Sequence, residues 1–144
     1  MNTEQIKIPA WFWVVSVVAL LWNLMGVGSF ISQMTISEEA LNALPSDQQA
    51  MYTDYPMWAN AVFAIAVFGG TIGSILLIMK KKLSRTLFII SLIAIVIQMS
   101  YYLIAMKPMD VYGPGAIAMP ISIIVFGVFL VWLAGLAIKK GWLR

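Results

Sequence analysis

Neither cysteine nor histidine occurs in this chain. Without cysteine there are no disulfides and no thiol chemistry. Without histidine, the side chain best suited to moving protons near neutral pH is missing. Charge is scarce too: 10% of the 144 residues are charged, where soluble domains carry about a quarter. Four intervals hold none at all: Ile8 to Ser37, Tyr55 to Met79, Thr86 to Met106 and Val111 to Ile138. Acid–base catalysis needs titratable groups within reach of a substrate. Proton relays inside membranes use such groups as well. The carboxylates outside these intervals show no paired-acid or metal-ligand motif. The chain therefore reads as a non-enzyme with no metal and no cofactor, unsuited to proton coupling through a buried carboxylate.

What is present is apolar: 62% of the residues are hydrophobic. Each uncharged interval can cross roughly 30 Å of hydrocarbon as a helix, which takes about 20 residues. Spans are expected at 10–31, 57–79, 84–106 and 116–138, with a loop at 32–56. Period-2 alternation is absent, which argues against a membrane barrel. The expected fold is an all-α bundle of four transmembrane helices, a single domain over 1–144. The first span is too long for a signal peptide. No small-x-small cleavage pattern follows it at Ser32-Gln33-Met34, so it reads as retained.

Basic residues predict the orientation. "KKKLSR" carries Lys80, Lys81, Lys82 and Arg85, and "KKGWLR" carries Lys139, Lys140 and Arg144. Positive loops stay on the cytoplasmic side. Both termini are then cytoplasmic, in a multi-pass inner-membrane protein. The other side holds Glu38, Glu39, Asp47, Asp54 and Asp110, with only Lys107 against them. Topology accounts for the basic loops without nucleic acid. Trp11, Trp13 and Trp142 fall at the inner boundary. Tyr52, Tyr55, Trp58 and Tyr112 fall at the outer one, where amphipathic rings are favoured.

In the outer loop, Ser37 with Glu38 and Glu39 resembles a helix start. "SDQQ" (Ser46 to Gln49) fits a capping box. One or two short helices are expected over the outer mouth. Gly113, Pro114 and Gly115 turn the chain into the fourth span. Pro120 sits near that helix's start, where a missing amide costs little, or kinks it.

Residues three and four apart share a helix face. Ser16, Ala19, Asn23, Gly26 and Phe30 form one small or polar stripe. Asn60, Ala64, Val67, Thr71 and Ser74 form a second; Ser91, Ala94, Gln98, Tyr101 and Ala105 a third. Small residues let membrane helices approach, and polar ones bond across the interface. These faces should point inward. "FGGTIGS" (Phe68 to Ser74) lacks the spacing of a phosphate loop. Its Gly69 and Gly73, like Gly26, suit helix packing.

Asn23 and Gln98 lie about 13 and about 14 residues from the inner ends of their spans, so at 1.5 Å per residue they are nearly level. Tyr101, Tyr102, Asn60 and Ser122 also fall in the outer half. A polar pocket or packed network is expected there, with Trp58 nearer the mouth. Seven methionines favour the same half: Met25, Met34, Met57, Met99, Met106, Met109 and Met119. Thioethers bind copper(I), but with no Cys or His beside them adaptable packing is the reading taken.

"WVVSVVALLWN" (Trp13 to Asn23) aligns with "FIISLIAIVIQ" (Phe88 to Gln98) at an offset of 75. Ser16 meets Ser91, Ala19 meets Ala94 and Asn23 meets Gln98. The match points to two copies of a helical hairpin. Sites in such proteins lie near the repeat interface.

"LLWNLMGVG", "FAIAVFGGTIGS", "FIISLIAIVIQM", "YGPGAIAMP" and "KKGWL" together resemble a family of small bacterial four-span proteins. The resemblance covers nearly the whole chain. Members are often labelled "sugar transporter", which implies a neutral polyol as solute. Two readings are open. One is a carrier or binder of a neutral polar solute, working as a homo-oligomer, with Asn23, Gln98, Tyr101, Tyr102, Asn60 and Trp58 as contacts. The other is an accessory subunit that docks a larger membrane-protein partner. In both, the lipid bilayer is the immediate surrounding.

Overall fold

The computed structural model describes residues 7–144. The N-terminus itself lies outside them. Seven α-helices occur in order among the described residues: α1 (Ala10–Met34), α2 (Glu38–Asn42), α3 (Ser46–Thr53), α4 (Met57–Ile78), α5 (Leu83–Tyr101), α6 (Pro108–Tyr112) and α7 (Ala118–Lys139). A π-helical turn, Tyr102–Met106, continues α5. A 3-10 turn, Pro114–Ile117, leads into α7. With these extensions, four helices among the described residues are long and apolar enough to cross a bilayer. The protein is an all-α, four-helix transmembrane bundle by length and composition.

Apolar side chains on the outward faces are exposed, among them Val14, Leu21, Ile65, Ile93 and Val128. Inward faces carry the small and polar stripes. Ser16, Ala19, Thr71, Ser74, Ser91, Ala94 and Gln98 are all buried. With lipid outside there is no hydrophobic drive between helices, so close packing and polar contacts hold the bundle together. α4 packs on both α1 and α5, and α5 also packs on α7. Ser91 Oγ crosses from α5 to donate to Ala66 O on α4 at 2.6 Å. Ala105 leaves its expected stripe and is exposed, because the π-helical turn inserts extra backbone and rotates the residues within and beyond it.

The end bearing Lys80 to Lys82 is closed by aromatic packing. Phe12 has no exposed surface. Its ring lies 5.2 Å from that of Trp142 and 5.5 Å from that of Trp13. Trp142, at the same end as Lys80 to Lys82, is turned into this cluster and buried. Two reciprocal backbone bonds put it there: Lys82 N donates to Arg144 O at 2.9 Å, and Arg144 N to Lys80 O at 2.7 Å. α4 and α7 stop alike. Lys81 N donates to Leu76 O, and Trp142 N to Ala137 O, each at 2.8 Å. The left-handed residue between is Gly141 (φ 75°) on α7 but Lys80 (φ 61°) on α4. The latter carries a steric cost of roughly 1 kcal/mol.

At the acidic end α1 runs to Met34, three residues past the expected boundary. Gln33 Nε2 donates to Asn60 Oδ1 at 2.8 Å and ties the last turn of α1 to the first turn of α4. Ser37 caps α2 as expected, its Oγ accepting from Ala40 N at 3.1 Å. The capping box at Ser46 does not form. Pro45 precedes α3 in extended conformation, so Ser46 is already inside the first turn. Gln49 Nε2 instead donates to Leu44 O at 2.8 Å, which stitches α3 to the end of α2. Pro120 is buried in the first turn of α7, where it interrupts no hydrogen bond that the helix needs.

Candidate functional site

α1 meets the C-terminal tail at the aromatic cluster and meets α7 where Trp22 packs on Phe126, with ring centroids 5.0 Å apart. Beyond that point, toward the acidic end, they part. A cavity of about 510 Å³ lies there among all four long helices. Met51 and Tyr52 of α3, together with Tyr55 and Tyr112, line its mouth.

Asn23 forms part of the deep wall. Its Nδ2 donates to Ala19 O at 2.9 Å and to Ser74 Oγ of α4 at 3.2 Å. Ser74 Oγ donates in turn to Gly70 O at 2.8 Å. The Asn23 amide reaches α4 because Gly70 leaves room: a Cβ on Gly70 would collide with Asn23 Oδ1. Gln98 stands across the cavity on α5, only 5% exposed. Its Nε2 donates to the Tyr55 hydroxyl at 3.1 Å. The two amides therefore share one cavity, as their equal depth suggests, yet each bonds its own partner.

Tyr102 also lines the cavity. Tyr101, Trp58 and Asn60 do not: Tyr101 and Asn60 stand behind residues that do, and Trp58 stands behind Tyr101. Tyr101 packs edge-on against Tyr55 at 6.2 Å and against Trp58 at 4.9 Å. Asn60 holds Gln33, which faces the cavity. Sequence reasoning missed Trp22, Ser29, Gln33 and Tyr55 as wall residues. Only Trp22 had a local signal, its place beside Asn23. Tyr55 is in loop sequence, and folding alone carries it over the bundle. Gly26 and Gly69 pack as expected, against Val67 of α4 and Ser91 of α5, and Gly73 abuts the Phe88 ring.

Among the described residues, no side chain lining the cavity carries a charge at neutral pH. Burial raises the Tyr55 hydroxyl pKa above the ordinary 10.0, and the Gln98 bond only partly offsets this. Burial also raises that of Tyr112, helped by Tyr52 and Asp47 nearby. A proton held more tightly when folded stabilises the fold below pH 10, and this stability is lost as pH rises through the folded-state values. Unfolding midpoints should therefore fall above pH 10, and less steeply in Tyr55→Phe. Identical alkaline slopes for parent and variant would contradict the assignment.

The fold and cavity define a class: a small all-α protein of four membrane-spanning-length helices around an uncharged chamber. No family model, curated protein or solved structure matches the chain.

Proposed function

We propose that this is a carrier or binder of an uncharged molecule in a bacterial inner membrane, with both termini cytoplasmic. The observation that supports it is the cavity: two amides on facing helices, tyrosines at the mouth, and no charged lining residue. Such a wall offers hydrogen bonds to a neutral ligand and nothing to neutralise an ion. The resemblance to proteins labelled sugar transporters agrees with a neutral hydroxyl-rich ligand. With no titratable acid–base pair at the cavity, a non-enzymatic role fits best. Uptake of a labelled sugar into proteoliposomes tests this. The parent should exceed protein-free vesicles, and Asn23→Ala and Gln98→Ala should each lower the flux severalfold. Flux that ignores both substitutions would remove these amides from the site.

A second reading, as an accessory subunit that docks a larger membrane-protein partner, draws on α1. This helix packs extensively on α4 alone. Its opposite face leaves Val14, Val17, Leu21, Leu24 and Ile31 exposed. A partner that copurifies in fixed ratio would favour it.

A further inference from the structure

We propose that the cavity takes a hydroxyl-bearing neutral amphiphile from the bilayer, entering sideways between α1 and α7. This rests on the reading of the cavity as a ligand site, and it names the ligand class and the route.

The route is set by the wall. Met25 on α1 and Met119 on α7 both line the cavity, yet they are 68% and 59% exposed. α1 packs extensively on α4 and not on α7, so the wall of the chamber is incomplete between α1 and α7, where these two side chains stand. Met25 lies roughly 22 Å along α1 from Ala10 at 1.5 Å per residue, within a hydrocarbon layer of about 30 Å. Met119, near the start of α7, lies about 30 Å from Lys139 by the same rise, so the gap runs from lipid chains at Met25 to the outer edge of the hydrocarbon layer at Met119.

The head group is set by the hydrogen bonds. Both Nδ2 protons of Asn23 are engaged, by Ala19 O and Ser74 Oγ. Asn23 Oδ1 and Gln98 Oε1 accept from no donor among the described residues. Nor are they sealed: Ser84 Oγ is the only fully buried side-chain polar atom without a partner among those residues. Asn23 Oδ1 is turned against Gly70 of α4, so Gln98 Oε1 is the carbonyl acceptor left to meet a ligand, and an acceptor left unpaired in an apolar setting is costly. A hydroxyl supplies the donor; an ester or ketone does not. The second proton of Gln98 Nε2 and the Tyr55 hydroxyl proton then serve the hydroxyl's own oxygen.

The chain is set by the rest of the lining. Met25, Met51, Met99 and Met119 all face the cavity. Unbranched thioethers adapt to an irregular apolar body. With no charged group in the wall, an anionic or cationic head would be left uncompensated.

The test uses the full chain in lipid nanodiscs with a monoolein analogue bearing a photoactivatable diazirine in its chain. Cross-links are mapped by mass spectrometry. Labelling should saturate at Met25 and Met119. Unlabelled monoolein should displace it, and methyl oleate, which has no donor, should not. Gln98→Leu should weaken competition by monoolein about threefold to tenfold, the loss of one hydrogen bond. If that variant does not fold, the parent competition decides alone. Unsaturable labelling spread over Val14, Val17 and Leu21 would overturn the proposal, as would equal displacement by methyl oleate. Displacement by glucose would overturn entry from the bilayer while leaving the cavity a ligand site. Saturable binding of neither monoolein nor glucose would remove both readings.

Discussion

Gly70→Ala is expected to destabilise the bundle by about 2 kcal/mol, the range of forced overpacking, whereas its neighbour Gly69→Ala is expected to be neutral or mildly stabilising. The added methyl at position 70 collides with Asn23 Oδ1. Asn23 must then swing away and give up its bonds to Ala19 O and Ser74 Oγ, worth about 0.6 kcal/mol each by membrane-protein precedent. At position 69 the nearest atom to a new Cβ is Ser91 Cβ at 3.5 Å, an ordinary contact. Alanine there also gains helix propensity of up to about 1 kcal/mol over glycine. Unfolding in mixed micelles, run on both variants, measures the difference. Equal destabilisation would mean that the α1–α4 approach is not set at Gly70. The substitution should also disturb any ligand that bonds Asn23, whereas Gly69→Ala should spare it.

Phe12→Ala should cost about 3 kcal/mol, at the low end for a fully buried aromatic. The ring is completely enclosed and touches Trp11, Trp13 and Trp142. Its loss leaves a void where α1 is held to the C-terminal tail, and neighbours pinned by the Lys80–Arg144 backbone bonds cannot easily collapse into it. Val14→Ala, at a position 62% exposed toward lipid, should change stability by less than about 0.5 kcal/mol. The same unfolding assay compares them. A Phe12→Ala cost no larger than that of Val14→Ala would show that the aromatic cluster contributes little to closure. Because this cluster lies at the far end from the cavity, ligand binding should survive in whatever fraction remains folded.

Much of the candidate site is legible in the residue order. Asn23 and Gln98 stand out because a primary amide inside an uncharged apolar run must find a hydrogen-bond partner, in a neighbouring helix or in a ligand, and equal depth is a consequence of helical rise alone. Tyr102 is placed by the same count. Tyr101, Trp58 and Asn60 sit at the right height but behind the wall, since depth along a helix says nothing about which neighbour intervenes. Gly70 shows the same limit. The pattern Gly69-x-x-x-Gly73 identifies a packing helix, yet the tightest contact with α1 is made by the glycine between them, on the face turned to Asn23. The matched positions Ser16 and Ser91 are both buried. Their hydroxyls nevertheless bond differently, one within α1 to Phe12 O and the other across to α4.

Sequence alone sufficed for the four helices, their limits to within a few residues, and their inward faces. Those properties are local: backbone groups in hydrocarbon must bond within their own segment, and a period of 3.6 assigns faces without knowledge of neighbours. Tertiary packing decided the rest. It turned Trp142 into the bundle, cancelled the capping box after Pro45, and rotated Ala105 outward at the π-helical turn. It also parted α1 from α7 so that Met25 and Met119 flank an opening. These outcomes depend on which helices touch and at what angle, and that is set by contacts between residues far apart in the chain.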